Sequence, residues 1–271
     1  MSVRLLALDL DGTIVNSDLQ VSARVRRAVS RAIAAGVHVT LASGRYFQGS
    51  RSYAQELGIR EPLICLQGAI IQDPNTEHVY YRCGVPLDLA REFIAFTREC
   101  GWDLLLYLGD RLYVDRVTPL LRYYAEYTPA HEELHAVGDL QAFLMTEPLK
   151  LLVVTEPEQA MQVDGSLREH FEGRLRIVRS FSRFVEGTNL QVSKGQALAF
   201  LARTLGVAQS ETMAIGDNDN DADMVAWAGL GVAMGNASAA VKAAAVYLAP
   251  SIDEDGAARA IERFVLGGPH D

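Results

Sequence analysis

Asp9 and Asp11 break an otherwise apolar run, "LALDLDGTIV" at residues 6 to 15. In an extended strand, residues i and i+2 share a face, so both carboxylates would point the same way. Two buried acids on one face repel each other and lose hydration. The pair is tolerable if a cation lies between them, or if this is the open end of a strand, where ligands bind. A second burst of acid follows another apolar run: "MAIGDNDNDADM" carries Asp217, Asp219, Asp221 and Asp223. A third run, "LASGR", ends in Ser43, Gly44 and Arg45, and Lys194 opens a helical pattern. Clustered carboxylates with no thiolate or imidazole beside them suit a hard divalent cation such as Mg²⁺ better than zinc. A lysine, a serine hydroxyl and a Gly-rich strand end facing such an ion make a phosphate pocket. A carboxylate can then attack phosphorus to give an aspartyl-phosphate while its neighbour handles protons. The cation would offset the repulsion between carboxylate and phosphate.

These residues need elements that bring distant strand ends to one rim. "VRLLALDL" reads as a buried strand; Ser22 can cap a helix that ends at Gly36, and "VHVTLA" follows as a second strand. "YFQGSRSYAQELG" reads as a helix closed by Gly58, "PLICL" as a third strand, and "AIIQDPNTEHVYYR" as a hairpin turning at Asp73-Pro74-Asn75. Strands separated by helices imply a parallel sheet. From about residue 84 the rhythm changes. A helix (86–100), a hairpin turning near Gly109-Asp110, a short helix (117–128), a strand (149–156), a helix (157–173) and further strands ("LRIVRS", "RFVEG") indicate an α+β module with an antiparallel sheet. The parallel rhythm returns at Lys194 and runs to a closing helix. The sequence therefore predicts a doubly wound, mainly parallel α/β core of Rossmann-like type, residues 1–83 and 184–271, with an α+β cap inserted at 84–183. In such sheets ligands bind beyond the carboxyl ends of the strands, where strand order switches. Asp9 and Asp11 belong at such an end, and Gly12 lets the backbone turn there.

Composition narrows the partners. The 271 residues carry 25 Lys and Arg against 34 Asp and Glu, a net charge of −9, which argues against a nucleic-acid surface. The one basic cluster, Arg24, Arg26, Arg27 and Arg31, alternates with Val25, Ala28, Val29, Ala32 and Ile33 at helical spacing, as a solvated helix face does. Cys65, Cys83 and Cys100 form no CxxC pair and read as free thiols. No apolar run approaches the roughly 20 residues that span a membrane, and acids interrupt the N-terminal apolar stretch too early for a signal peptide. The expectation is a cytoplasmic protein acting on a small molecule, with no nucleic-acid or membrane partner.

"DLDGT", "SGR", "VSKG" and "GDNDND", in that order and at strand ends, resemble the haloacid dehalogenase-like hydrolases, most closely the Cof-type sugar-phosphatase branch. The resemblance covers nearly the whole chain, including "GVAMGNA" and "DEDG". It implies that Asp9 is the nucleophile that becomes phosphorylated and Asp11 the general acid/base, whose backbone carbonyl is also a metal ligand. It implies that Ser43 and Lys194 bind phosphate, with Gly44 and Arg45 at the same strand end. Asp217 would be the acidic Mg²⁺ ligand, Asp221 a second acid orienting the metal site, directly or through water, and Asn220 a polar group near phosphate and nucleophile. Asp9 completes the metal set. The insert would be the type IIB cap that roofs the site and selects a small phosphorylated metabolite, a sugar phosphate above all. Three positions depart from the branch: Gln67-Gly68 stands where Asn-Gly is usual, Gly187 replaces an aliphatic residue after Glu186, and Gln191 takes the place of a glycine before "VSK". They bear on substrate choice rather than phosphoryl chemistry. A phosphotransferase or mutase using the same intermediate, and a phospholigand-binding regulator, are the alternatives.

Other features carry blander readings. "HEELH" (131–135) matches the zinc-protease pattern, but Pro129 and Val137-Gly138 leave room only for a short helix, and no third ligand is evident; surface histidines are the expectation. Arg45 could bind substrate or pair with a carboxylate. Tyr123, Tyr124 and Tyr127 are expected to pack within the cap. Asp219 and Asp223 are expected to be solvated acids at a helix start.

Overall fold

The computed structural model describes residues 2–109, 111–127 and 133–268. The chain divides into two compact units: Met1–Tyr81 with Ser193–Asp271, and Arg82–Val192.

The first unit is built on a five-stranded parallel sheet. Its order across the sheet is Tyr247–Leu248, Leu230–Ala233, Thr212–Gly216, Leu5–Leu8, His38–Leu41. Leu5, Leu6, Ala7 and Leu8 are fully buried, as a central strand covered on both faces must be. A bridge between Ala42 and Ile64 leads to a small three-stranded sheet of Leu63–Cys65, Ile70–Gln72 and Val79–Arg82. The helix Ala23–Ala34 is capped by Ser22, whose Oγ accepts from the Val25 N–H; Val25, Ala28, Val29 and Ala32 are buried, while Arg26, Arg27 and Arg31 are exposed. The helix Phe47–Leu57 stops at Gly58, which takes φ +70°. One sheet face packs Leu5, Ala7, Ala42 and Ile64 against Ala197, Leu198 and Leu201 of the helix Lys194–Thr204 and Met224 of the helix Ala222–Trp227.

The chain runs outward from Leu5–Leu8 to His38–Leu41, then returns to Thr212–Gly216 on the other side and runs outward again. Strand order therefore switches between Leu5–Leu8 and Thr212–Gly216. The loops after these two strands carry Asp9, Asp11 and Asp217.

The second unit is a six-stranded sheet in the order Leu175–Phe181, Phe184–Asn189, Lys150–Val154, Asp103–Leu108, Arg111–Val114, Leu134–Ala136. All neighbours are antiparallel except the last pair. One face presents Leu104, Leu106, Leu151, Val153 and Val185 to Phe93 and Ile94 of the helix Leu87–Glu99 and to Val163 and Leu167 of the helix Ala160–His170. Residues one position away along the strands face the other side. There Lys150 Nζ lies 3.3 Å from Glu186 Oε1 and 4.3 Å from the centroid of the Tyr107 ring.

Both junctions differ from expectation: the second unit begins at Arg82 rather than at residue 84. The second junction was expected at residue 184, but Phe184–Asn189 is an interior strand of the six-stranded sheet, so the unit continues to Val192. Glu186 and Gly187 pair with Leu152 and Leu151 in mid-sheet and are not at a junction. The C-terminal half of "HEELH" is also not helical. His135 lies in Leu134–Ala136, paired with Arg111–Val114, while His131 lies outside the described residues. Tyr124 is buried and shares a hydrogen bond with Tyr107, and Tyr123 stacks with the Arg183 guanidinium; the side chain of Tyr127 lies outside the described residues. Among the described residues, no helix is long and apolar enough to cross a membrane, and Cys65 and Cys100 are free thiols.

Candidate active site

Asp9 follows directly on the first strand, and its N–H donates to the Ile215 carbonyl (3.0 Å), which keeps it in line with the sheet. The chain then folds back, with the N–H groups of Thr13, Ile14 and Val15 all donating to the Leu10 carbonyl. The extended geometry that would put Asp9 and Asp11 on one face therefore ends between them. Asp9 is buried (5% exposed) and turned to Lys194; the Asp11 side chain is half-exposed and turned to Arg45. Gly12 makes the turn possible. It adopts φ +84°, and a Cβ there would come within 2.3 Å of Asp217 Oδ2.

Lys194 is the first residue of its helix, and the preceding Ser193 caps that helix by accepting from the Gln196 N–H. Its side chain runs inward until it is only 1% exposed, and Nζ donates to Asp9 Oδ1 (2.7 Å) and Asp221 Oδ1 (2.5 Å). The other Asp221 oxygen accepts from the N–H groups of Asp217 and Asn218 (3.0 Å each). Asp221 is thus fully buried between the lysine and its own loop, and it fixes the direction in which Asp217 leaves the strand. Asp217 Oδ1 accepts from Thr13 Oγ1 (2.8 Å), and Asn236 Nδ2 reaches both the Gly12 carbonyl (2.9 Å) and Asp217 Oδ2 (3.4 Å).

Asp9, Asp217 and Asp221 each offer a carboxylate oxygen, all within 4.8 Å of one another. Three carboxylates face one ammonium, so the cluster holds more negative charge than Lys194 can balance. Burial pushes the Asp9 carboxyl well above its usual range, Asp221 adds to the effect, and Lys194 opposes it. Burial raises Asp217 to about 6 against the opposing bond from Thr13. Burial alone would lower Lys194, but Asp221 and Asp9 reverse this and hold it above the usual lysine value. Uncompensated charge on an all-oxygen donor set is what a hard divalent cation fits. Asp219 is exposed and, with Asp223, stands apart from the three. The Asp11 carboxylate is likewise outside the group, committed to Arg45.

Ser43 is buried, and its Oγ accepts from the Arg45 N–H (3.0 Å). A Cβ on Gly44 would lie 2.5 Å from Gln67 Nε2. Asn220 Nδ2 donates to Gln67 Oε1 (2.7 Å). Gln67 therefore touches both the "SGR" and the "GDNDND" segments, from a backbone with φ +61° next to Leu66 at φ +50°. Two successive non-glycine residues in the left-handed region are costly, and such strain gathers at functional sites. Thr13, Asn236 and Gln67 had no role assigned from the sequence. Gln67 was visible only as a departure from Asn, and Asn236 only as part of "GVAMGNA".

Known proteins match this arrangement over nearly the full chain. Residues 6–261 match the family model of haloacid dehalogenase-like hydrolases. The 5-amino-6-(5-phospho-D-ribitylamino)uracil phosphatase YcsE of Bacillus subtilis is 31% identical, with 98% of this chain and 97% of that protein covered. The crystal structure of a haloacid dehalogenase-like hydrolase from Bacteroides thetaiotaomicron superposes with a TM-score of 0.86 at 30% identity, covering 97% of this chain and 99% of that one. A sugar phosphatase of HAD subclass IIB shares the fold, with a TM-score of 0.79 at 24% identity over 97% of this chain and 99% of that one. The chain belongs to the haloacid dehalogenase-like hydrolases.

Proposed function

We propose that this protein is a Mg²⁺-dependent phosphatase that hydrolyses a small phosphorylated metabolite, a sugar phosphate or a similar polyol phosphate, through an aspartyl-phosphate on Asp9. The observation that carries this reading is the buried Lys194 ammonium, seated between Asp9 and Asp221 at the switch in strand order. Related proteins named as phosphatases, including YcsE and an HMP-PP phosphatase of Serratia proteamaculans, support the same reaction class.

Asp9 attacks phosphorus as the bond to the leaving oxygen breaks, and Asp11 gives that oxygen its proton. Water then attacks the phosphoryl group, Asp11 takes the proton from that water, and the acyl-phosphate bond breaks to restore the Asp9 carboxylate and free phosphate. Lys194 offsets charge on Asp9 and on the phosphoryl oxygens. Ser43 and the neighbouring Gly44 form the phosphate-binding strand end. Asp9 and Asp217, with the Asp11 carbonyl, would hold the divalent cation, which supplies charge neutralisation and orientation at the phosphoryl group. Asp221 fixes Lys194 and the Asp217 loop, which assigns it to the metal site's support.

A panel of phosphorylated metabolites assayed with EDTA, Mg²⁺, Ca²⁺ or Zn²⁺ tests the reading. Mg²⁺ should restore EDTA-treated enzyme better than Ca²⁺, whose longer bonds and larger ligand number misplace an in-line attack. Restoration by Zn²⁺ alone would contradict it.

A further inference from the structure

We propose that Arg45 is a positioning residue for Asp11, holding that carboxylate where proton transfer to and from the leaving oxygen occurs, rather than a group that binds substrate. The proposal rests on Asp11 being the general acid/base of the reaction above. Arg45 Nε donates to Asp11 Oδ2 (2.8 Å) and Nη2 to Asp11 Oδ1 (2.5 Å), so one planar fork takes both carboxylate oxygens and fixes rotation as well as distance. The two partners are unequal. The Arg45 side chain is 13% exposed and that of Asp11 53%. The arginine is itself held: its backbone N–H donates to Ser43 Oγ, and its guanidinium lies 5.1 Å from the centroid of the Tyr53 ring, whose hydroxyl donates to the Leu19 carbonyl. Asp11, by contrast, projects from a turn, and among the described residues its carboxylate bonds only to Arg45.

A role in stability accounts poorly for this arrangement. Among the described residues, Arg45 Nη1 is buried with no hydrogen-bond partner, which is unfavourable, and the ion pair ends on a half-exposed acid, where such pairs contribute little. A role in binding accounts for it no better, because two of the three guanidinium nitrogens donate to Asp11 and the third is covered. What the fork does achieve is a single orientation for a carboxylate that has no other hydrogen-bond partner among the described residues. A general acid has to meet the leaving oxygen at hydrogen-bond distance, so loss of orientation should appear in proton transfer alone.

The test uses the full-length enzyme with Mg²⁺ and two substrates that differ in their need for a proton. An alkyl phosphate leaves only when protonated; 2,4-dinitrophenyl phosphate leaves unaided. Arg45→Ala should lower kcat for the alkyl phosphate by about 10²-fold with KM changed less than about threefold. With the dinitrophenyl ester the variant should keep a wild-type burst of dinitrophenolate, then turn over slowly, because the second step still needs Asp11 as a base. Arg45→Lys keeps the charge without the fork and should recover little of the alkyl rate. Adding Arg45→Ala to Asp11→Asn should cause no further loss. A rise in KM at unchanged kcat, or an equal loss in the burst and on the alkyl substrate, would overturn the proposal, as would full rescue by lysine. Should Arg45→Ala fail to fold, Arg45→Lys and Arg45→Gln carry the same substrate comparison. Failure of the underlying reaction scheme would show separately, as turnover by Asp9→Asn.

Discussion

Lys194 is balanced between two carboxylates, and removing it would leave the buried Asp9 and Asp221 and the partly buried Asp217 with no cation from the protein. Lys194→Ala should therefore lower kcat/KM by on the order of 10²-fold or more, as loss of a preorganised charge does. Steady-state kinetics on several phosphate esters would show the loss for all of them alike. The same charge imbalance sets a pH dependence. The Asp217 carboxyl titrates near 3.9 in an unfolded chain and at about 6 in the folded one, and Asp9 is raised in the same sense. Between those values the folded state binds the proton more tightly than the unfolded chain. Linkage then requires stability to fall as pH climbs through that window. In EDTA, the melting temperature should drop from about pH 4 to above pH 6. Mg²⁺ should stabilise strongly at pH 7.5 and weakly at pH 4.5, where the carboxyls keep their protons. A Mg²⁺ effect of equal size at both values would contradict the placement of the ion on these acids. At this scale the motif spacing made Asp9, Lys194 and Asp217 legible, because each ends or begins an element. Thr13 and Gln67 were not legible, because their partners Asp217 and Asn220 lie 204 and 153 residues away in the chain.

Elements were read well where a local pattern decides them. Ser22 as a cap, Gly58 as a stop and the buried face of Ala23–Ala34 all follow from nearest neighbours in sequence. Sheet membership does not, and this is why the boundary expected at residue 184 falls inside the strand Phe184–Asn189. Its apolar run says strand, but only its pairing with Lys150–Val154 and Leu175–Phe181 says which sheet. That pairing also explains Glu186, which sits on the polar side of the sheet as the partner of buried Lys150. Lys150→Met takes a charge partner away from the buried Glu186 carboxylate and should therefore lower stability. The double change Lys150→Met with Glu186→Leu should recover much of it, and urea denaturation of the two variants would measure the difference.

On the scale of the whole molecule, the chain leaves one unit at Tyr81 and re-enters it at Ser193. Within that unit the Tyr81 ring packs 5.2 Å from Phe200, in the helix that begins at Lys194, so the two ends of the insertion meet on one element. A short Gly/Ser linker from Tyr81 to Ser193 should therefore give a folded core. It keeps Asp9, Asp11, Ser43, Lys194 and Asp217, and it should hydrolyse a small aryl phosphate slowly while losing discrimination among phosphorylated metabolites. Circular dichroism and kcat/KM across the panel would measure both properties; unchanged selectivity would place substrate choice in the core. The two-unit plan was legible as a change of rhythm along the sequence. Its second boundary was not, because strands on either side of it look alike.

The central claim is that phosphate passes through Asp9, and trapping that species tests it most directly. Asp11→Asn should slow hydrolysis of the acyl-phosphate more than its formation from an activated aryl phosphate, since only the second step then lacks its base. Acid quench within a single turnover, followed by mass spectrometry of the peptide spanning residues 6–15, should find the phosphoryl group on Asp9 in Asp11→Asn. It should be absent in Asp9→Asn, which should also lose turnover. Phosphate on another residue, or wild-type turnover by Asp9→Asn, would contradict the account.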